Sequence, residues 1–191
     1  LHLQGVTVLI STHDIDLAYT WADSVNVIRH GKKVFSGTSE EFYSNQEEVH
    51  LCGLLSPSTF NMNHEISALR GVPESPYPRN VSEFLSKFGK AGAGRVFCVS
   101  CPEGQACDIY DQAVKEAGAD AKIGVYGSDT RYGLAGRKID YYFDGIDSCF
   151  TEAVLGRDSV LFYDPIYDPL IKERAGILRE FGSDIVLEEL R

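Results

Sequence analysis

Val6-Thr7-Val8-Leu9-Ile10-Ser11-Thr12, followed at once by His13-Asp14, is the stretch on which the fold class turns. Val6, Val8, Leu9 and Ile10 are aliphatic, and β-branched side chains dominate a run too short to be a helix of its own. That composition predicts a strand buried on both faces, as in parallel sheets. A helical pattern follows over residues 14–22, with Ile15, Ala18, Tyr19 and Ala22 on one face and Asp14 and Asp16 in the first turn. His13 therefore lies on a strand-to-helix turn, where α/β proteins place phosphate-binding and catalytic groups. Ahead of the strand, residues 1–5 read as the end of a helix stopped by Gly5.

The chain has 191 residues, 43% of them hydrophobic, enough for one large domain or two small ones with real cores. Its formal charge of −10 and pI near 4.9 argue against nucleic acid as the main partner, and no basic run offsets them. No apolar stretch approaches the ~20 residues of a membrane span. The start lacks both an initiator Met and the basic segment of a signal peptide, which predicts a piece of a longer chain. An odd set of cysteines (Cys52, Cys98, Cys101, Cys107, Cys149) reads as reduced thiols packed as small hydrophobes.

Outward from the first helix, residues 24–29 and 33–37 form two strands around the tight turn His30-Gly31-Lys32, a hairpin. Thr38, three residues ahead of Glu41, is the start of a capped helix. The series Val8-Leu9-Ile10-Ser11-Thr12-His13-Asp14, Ala22-Asp23, Arg29-His30-Gly31-Lys32 and Gly37-Thr38-Ser39-Glu40-Glu41 resembles the C-terminal end of the ATP-binding subunit of an ABC transporter, most closely the cobalt/nickel and energy-coupling-factor importers. The resemblance covers about a quarter of the chain. It implies that His13 is the switch histidine that contacts the ATP γ-phosphate and helps hold the attacking water. It further implies ATP and Mg in the parent chain, a second ATPase subunit as dimer partner, a transmembrane transporter subunit, and a peripheral place on the cytoplasmic face of the membrane. No Gly-x-x-x-x-Gly-Lys-Ser/Thr occurs, and the family's signature motif and catalytic Asp-Glu pair, which lie upstream of the switch histidine, are missing as well. These 191 residues alone are thus expected neither to bind nor to hydrolyse ATP, and to need no cofactor. A strand of this kind without neighbours is expected to lose order, to pair with the hairpin or to join a second copy.

The fold class expected is α/β in three parts: residues 1–44, the truncated end of a nucleotide-binding domain; 45–93, a helical connector rich in Pro and Gly; and 94–191, an accessory domain with a five-stranded, mostly parallel sheet covered by helices. In the connector, helical runs at 46–55 and 58–69 flank Pro57, the second with Met62, Ile66 and Leu69 or Phe60, His64 and Ala68 as its apolar side. Pro73, Pro76 and Pro78 mark a turn-rich boundary, a helix with Val81, Phe84, Leu85 and Phe88 inward follows, and 89–94 is a Gly-rich hinge. His50, Cys52 and His64 do not have the spacing of a zinc site, so no metal site is assigned.

In the last part the strands expected are 95–100, 121–126, 139–143, 159–163 and 184–187, alternating with helices stopped by Gly118, Gly156 and Gly182. Ligands of such sheets bind beyond the carboxyl ends of the strands. The candidate pocket there is Ser128, Asp129, Thr130, Arg131, Asp144 and Asp164: hydroxyls and an arginine for an anion, and acids (with Asp147) for a cation or sugar hydroxyls. The loop 101–105 adjoins it. The pair Cys98 and Cys101 is not on a strand-to-helix turn beside a base, which argues against redox chemistry. There is no histidine after residue 64, which removes the commonest general base. The reading that results is an importer ATPase subunit with an accessory domain that senses a small effector or mediates dimerisation. The alternative is a free-standing small-molecule-binding domain or small enzyme unrelated to transport.

Overall fold

In the computed structural model the described residues are 5–89, 92, 94–102 and 106–190, with Ala106 and Cys107 described as backbone only. The expected helix end at 1–5, part of the hinge at 89–94, part of the loop 101–105 and the Cys107 thiol lie outside them. The chain divides into two compact units, residues 1–80 and 81–191. The fold is α/β.

The first unit begins with residues 6–12 in no regular secondary structure and in no ladder. Here the expectation of a buried strand is corrected: Leu9 is 94% exposed and Val6, Val8 and Ile10 are exposed too. A strand buries both faces only inside a sheet, and the hairpin does not adopt these residues as a third strand. Helix α1 (Ile15–Trp21) follows, then strands β1 (Val25–Arg29) and β2 (Lys32–Gly37). These pair antiparallel across the two-residue turn His30-Gly31, with φ of 49° and 74°, the conformation that matches the strands' twist. Helix α2 (Ser39–Ser44) opens with the expected reciprocal cap: the Glu41 amide donates to Thr38 Oγ1 at 3.2 Å, and the Thr38 amide donates to Glu41 Oε2 at 2.9 Å.

Helices α3 (Gln46–Leu51) and α4 (Ser58–Arg70) complete the unit. Its core is aromatic, built from Tyr19, Phe42, Tyr43 and Phe60 with Val49. Of the apolar side expected on α4 only Phe60 is buried: His64, Ala68, Met62 and Leu69 are exposed, and Asn63 and Ser67 face inward with Phe60. The polar pair goes in because the Pro-rich segment beneath brings carbonyls that need donors. Asn63 Nδ2 donates to the Glu74 carbonyl at 3.0 Å and Ser67 Oγ to that of Pro73 at 3.4 Å.

The second unit starts with α5 (Val81–Phe88). Its expected apolar side is only partly the inner one. Val81 is exposed, while Glu83 is buried, its Oε1 3.5 Å from the Arg174 guanidinium. Four strands follow, β3 (Arg95–Ser100), β4 (Lys122–Tyr126), β5 (Ser159–Tyr163) and β6 (Val186–Leu190), all parallel in the order β4-β5-β3-β6. The sheet thus has four strands where five were expected. Residues 139–143 are not a strand: Tyr141 makes one bridge to Gly124, and the chain then turns outward with Phe143 74% exposed. The last strand also lies two residues later than expected.

Helices α6 (Ala106–Ala117), α7 (Ser128–Gly133), α8 (Gly145–Val154) and α9 (Asp168–Glu180) connect the strands. One core packs α8 and α9 against the sheet through Val96, Phe150, Leu161, Ile171 and Leu178. A second lies between the other face and α6, with Phe97, Tyr110, Ile123 and Phe162. Cys98, Cys101 and Cys149 are buried in these cores, and burial pushes each thiol up to about 12, so all three stay protonated and inert at neutral pH.

The bridge segment at 139–141 is bolted down by Glu152, a buried carboxylate on α8. Arg157 donates to both its oxygens and the Tyr141 hydroxyl donates to Oε1. The Arg157 hydrogen bond holds the Glu152 carboxyl below its usual range despite burial, and Arg95 and Lys172 do the same for Asp158 and Asp168. A carboxylate whose folded pKa is depressed contributes stability above its unfolded value and loses it as pH falls through the folded one. The melting temperature of the second unit should therefore fall below about pH 4. Glu152→Gln should lower it at pH 7 and flatten its acid slope; circular-dichroism melts at pH 7, 5 and 3 read both, and an unchanged slope would refute the coupling.

Candidate functional site

His13 sits at the head of α1 with its side chain exposed. The capping duty there belongs to its neighbour: Asp14 Oδ1 accepts from the Leu17 amide at 2.9 Å, and the Asp14 amide donates to Thr12 Oγ1 at 2.9 Å. Among the described residues nothing hydrogen-bonds or pairs with the His13 imidazole. It stands exposed at the start of a helix whose cap is supplied by its neighbour.

The other metal-tempting residues in this unit have ordinary surroundings. His64 Nδ1 lies 2.9 Å from Glu74 Oε1, His50 is exposed and Cys52 is half-buried. Among the described residues no three His, Cys, Asp or Glu side chains gather as a metal site needs.

In the second unit the residues singled out at the strand ends divide into two groups. Gly127, at φ 100°, ends β4 so close to β5 that a Cβ would come within 3.2 Å of Asp164 Cβ and 3.1 Å of the Tyr167 ring. Directly after it Ser128, Asp129, Thr130 and Arg131 open the short helix α7, where the sequence analysis assigns no helix. Ser128 Oγ donates to Asp129 Oδ1 at 3.3 Å, both exposed. Thr130 points inward, 3% exposed. The Arg131 guanidinium lies 5.5 Å from the Tyr142 ring centre and 5.3 Å from that of Phe143.

Asp164 is committed to structure, since its Oδ1 accepts from the Ile166 amide at 3.0 Å and caps the 3-10 turn Pro165–Tyr167. Asp144 stands before α8 at φ 58° without capping it. Asp147, one turn on, is half-buried, and burial raises its pKa against the pull of Arg174. Arg174 and the Tyr126–Tyr167 ring pair, edge to face at 4.8 Å, are neighbours that sequence reasoning missed. Tyr142 and Phe143 were missed as well. Their signal was the aromatic run Tyr141-Tyr142-Phe143 directly before Asp144-Gly145, longer than the one bridge needs.

Three relatives decide the kinship. An energy-coupling factor transporter ATP-binding protein, EcfA2, of Methanospirillum hungatei is 28% identical over 181 residues, spanning 84% of this chain and 43% of that protein. A putative ABC transporter ATP-binding protein of Methanosarcina mazei is 44% identical over 76 residues, 40% of this chain and 16% of that protein. The energy-coupling factor transporter ATP-binding protein EcfA of Methanococcus maripaludis is 40% identical over 91 residues, 44% of this chain and 33% of that protein. The chain is related to the ATP-binding subunits of ABC transporters. It spans less than half the length of each of these curated relatives. An alignment over 84% of the chain necessarily runs through β3 and β4, so the kinship with the Methanospirillum protein reaches the second unit. No protein-family model matches the chain, and no solved structure matches it.

Proposed function

We propose that this chain serves in the ATP-hydrolysing subunit of an ABC importer, for cobalt, nickel or a related micronutrient. Kinship to energy-coupling-factor ATP-binding proteins supports the importer reading, and the motif flavour around His13 supports the metal. The observation that carries the site is the free imidazole of His13 on a helix that Asp14 already caps. In this reading residues 1–44 are the end of the nucleotide-binding domain and His13 offers one N–H to the γ-phosphate of ATP held with Mg. Phosphoryl transfer rests on positioning and charge stabilisation, which a donor fixed at a helix head supplies. No helix among the described residues is long and apolar enough to cross a membrane. In this reading, which rests on the kinship, the subunit is peripheral on the cytoplasmic face, pairs with a second ATPase subunit and docks on a transmembrane one.

The accessory domain, residues 94–191 within the second unit, is read as an effector sensor or dimerisation module, its ligand end formed by Ser128, Asp129, Thr130, Arg131, Asp144 and Asp164. An alignment that crosses both units supports the view that they work in one protein. The test is ATP-driven uptake into vesicles holding the assembled transporter. Labelled Co²⁺ or Ni²⁺ should accumulate with ATP and not without it. Accumulation of another micronutrient instead would overturn the metal, and uptake indifferent to ATP would overturn the importer.

A further inference from the structure

At the carboxyl end of β4 an arginine stands without an acid, in a chain that has 28 acids against 18 lysines and arginines. None of the ion pairs among the described residues includes Arg131. Its guanidinium is held instead by the rings of Tyr142 and Phe143, which meet edge-on at 5.3 Å. Arg131 Nε and Thr130 Oγ1 are both buried with no hydrogen-bond partner among the described residues. A ligand cannot reach an Nε that is closed off from solvent, so the Arg131 donors left to one are those on Nη1 and Nη2. Phe143 nevertheless stays 74% exposed, an aromatic face left open beside the cation.

Each feature names part of a ligand. A guanidinium pinned by rings is pre-organised to meet a carboxylate or phosphate with two parallel N–H donors. An exposed ring beside it offers a stacking surface that any flat ring can use. Asp129 and Asp144 flank the pair in sequence, which disfavours a highly charged anion such as a triphosphate. We propose that this corner binds a flat aromatic ring carrying one carboxylate or monophosphate, the anion on Arg131 and the ring on Phe143. The proposal rests on the reading of the second unit as an effector-binding module and supplies the class of effector.

The test is titration of the 191-residue chain, followed by amide NMR shifts and calorimetry, with quinoline-2-carboxylate for a ring carboxylate and AMP for a ring phosphate. At least one should bind with Kd of about 1 mM or tighter and shift amides of α7 and of residues 142–144. Quinoline without its carboxylate and acetate without a ring should each bind at least about tenfold more weakly, and ATP more weakly than AMP. Arg131→Lys, which keeps the charge but loses the fork, should weaken binding about tenfold. Phe143→Ala, at an exposed position that folding does not need, should weaken it about fivefold; His13→Ala should change nothing. Binding that survives Arg131→Lys, or acetate binding as well as the ring acids, would overturn the proposal. So would silence from both probes. If both are silent while another small molecule shifts the same amides, the ligand class is wrong and the sensor stands. If no small molecule raises the melting temperature of the second unit, both fall.

Discussion

Phe150→Ala is expected to remove about 3–5 kcal/mol from the stability of the second unit. Phe150 lies on the inner face of α8, fully buried among Val96, Leu161, Ile171 and Leu178. Truncation there loses the transfer energy of the ring and leaves a cavity that the flanking strands, paired on both sides, cannot collapse into. A domain of this size holds on the order of 5–15 kcal/mol in all, so a large part of its margin goes. Gly145→Ala should act at the same joint by the opposite route. A Cβ on Gly145 would meet the amide and carbonyl of Val125 on β4 at 2.9 Å or closer. Backbone cannot swing aside as a side chain can, so α8 must lift from the sheet, at a cost of about 1–3 kcal/mol or more. Phe150→Leu should recover much of the Phe150 loss, whereas Gly145→Ser should be no better than Gly145→Ala. Urea unfolding read by hydrogen exchange resolves the two units, and both variants should shift only peptides from residues 81–190. A loss under about 1 kcal/mol for Phe150→Ala would mean that this face is not the core.

That joint was legible in the sequence because its signals are local and redundant. Residues 96–99 and 160–163 are apolar without a break, as strands buried on both faces must be, and Gly118, Gly156 and Gly182 stop the helices of this unit at positive φ. The hairpin turn and the Thr38–Glu41 cap were legible for the same reason, since each needs a particular residue at a particular place. What failed was pattern without its tertiary partner. Tyr141-Tyr142-Phe143 has strand propensity, but only Tyr141 finds the edge of β4, and the next two rings turn out to Arg131. On α4, hydrogen-bonding demand from Pro73 and Glu74 outweighed hydrophobicity and drew Asn63 and Ser67 inward. Of the candidate site, Thr130 and Arg131 stay together on one short helix, and Asp164 turns out to be a cap. No sequence pattern marks an arginine as lacking an acid, because that depends on which carboxylates the fold brings near.

Under the role proposed for His13, His13→Ala should lower ATP turnover of the assembled ATPase on the order of 10²-fold, the scale of removing one fixed donor from a transition state. The loss belongs in kcat, with KM for ATP little changed, because charge on the transferring group is greatest in the transition state and the rest of the nucleotide site is untouched. The control is the adjacent residue. Asp14→Ala removes the cap that accepts from the Leu17 amide and should cost about 1 kcal/mol of stability in the first unit. It leaves the imidazole in place, so turnover below the melting transition should fall far less. If the histidine served only the helix, the order would reverse: His13→Ala would be silent and Asp14→Ala would carry the defect. His13→Gln, which keeps an N–H donor but cannot carry a proton, separates the two roles left to the imidazole. Turnover near wild type would assign it to holding the phosphate by hydrogen bond alone. A loss as deep as that of His13→Ala would mean that the ring's geometry or its proton is required. Equal turnover in all three variants would remove His13 from the mechanism.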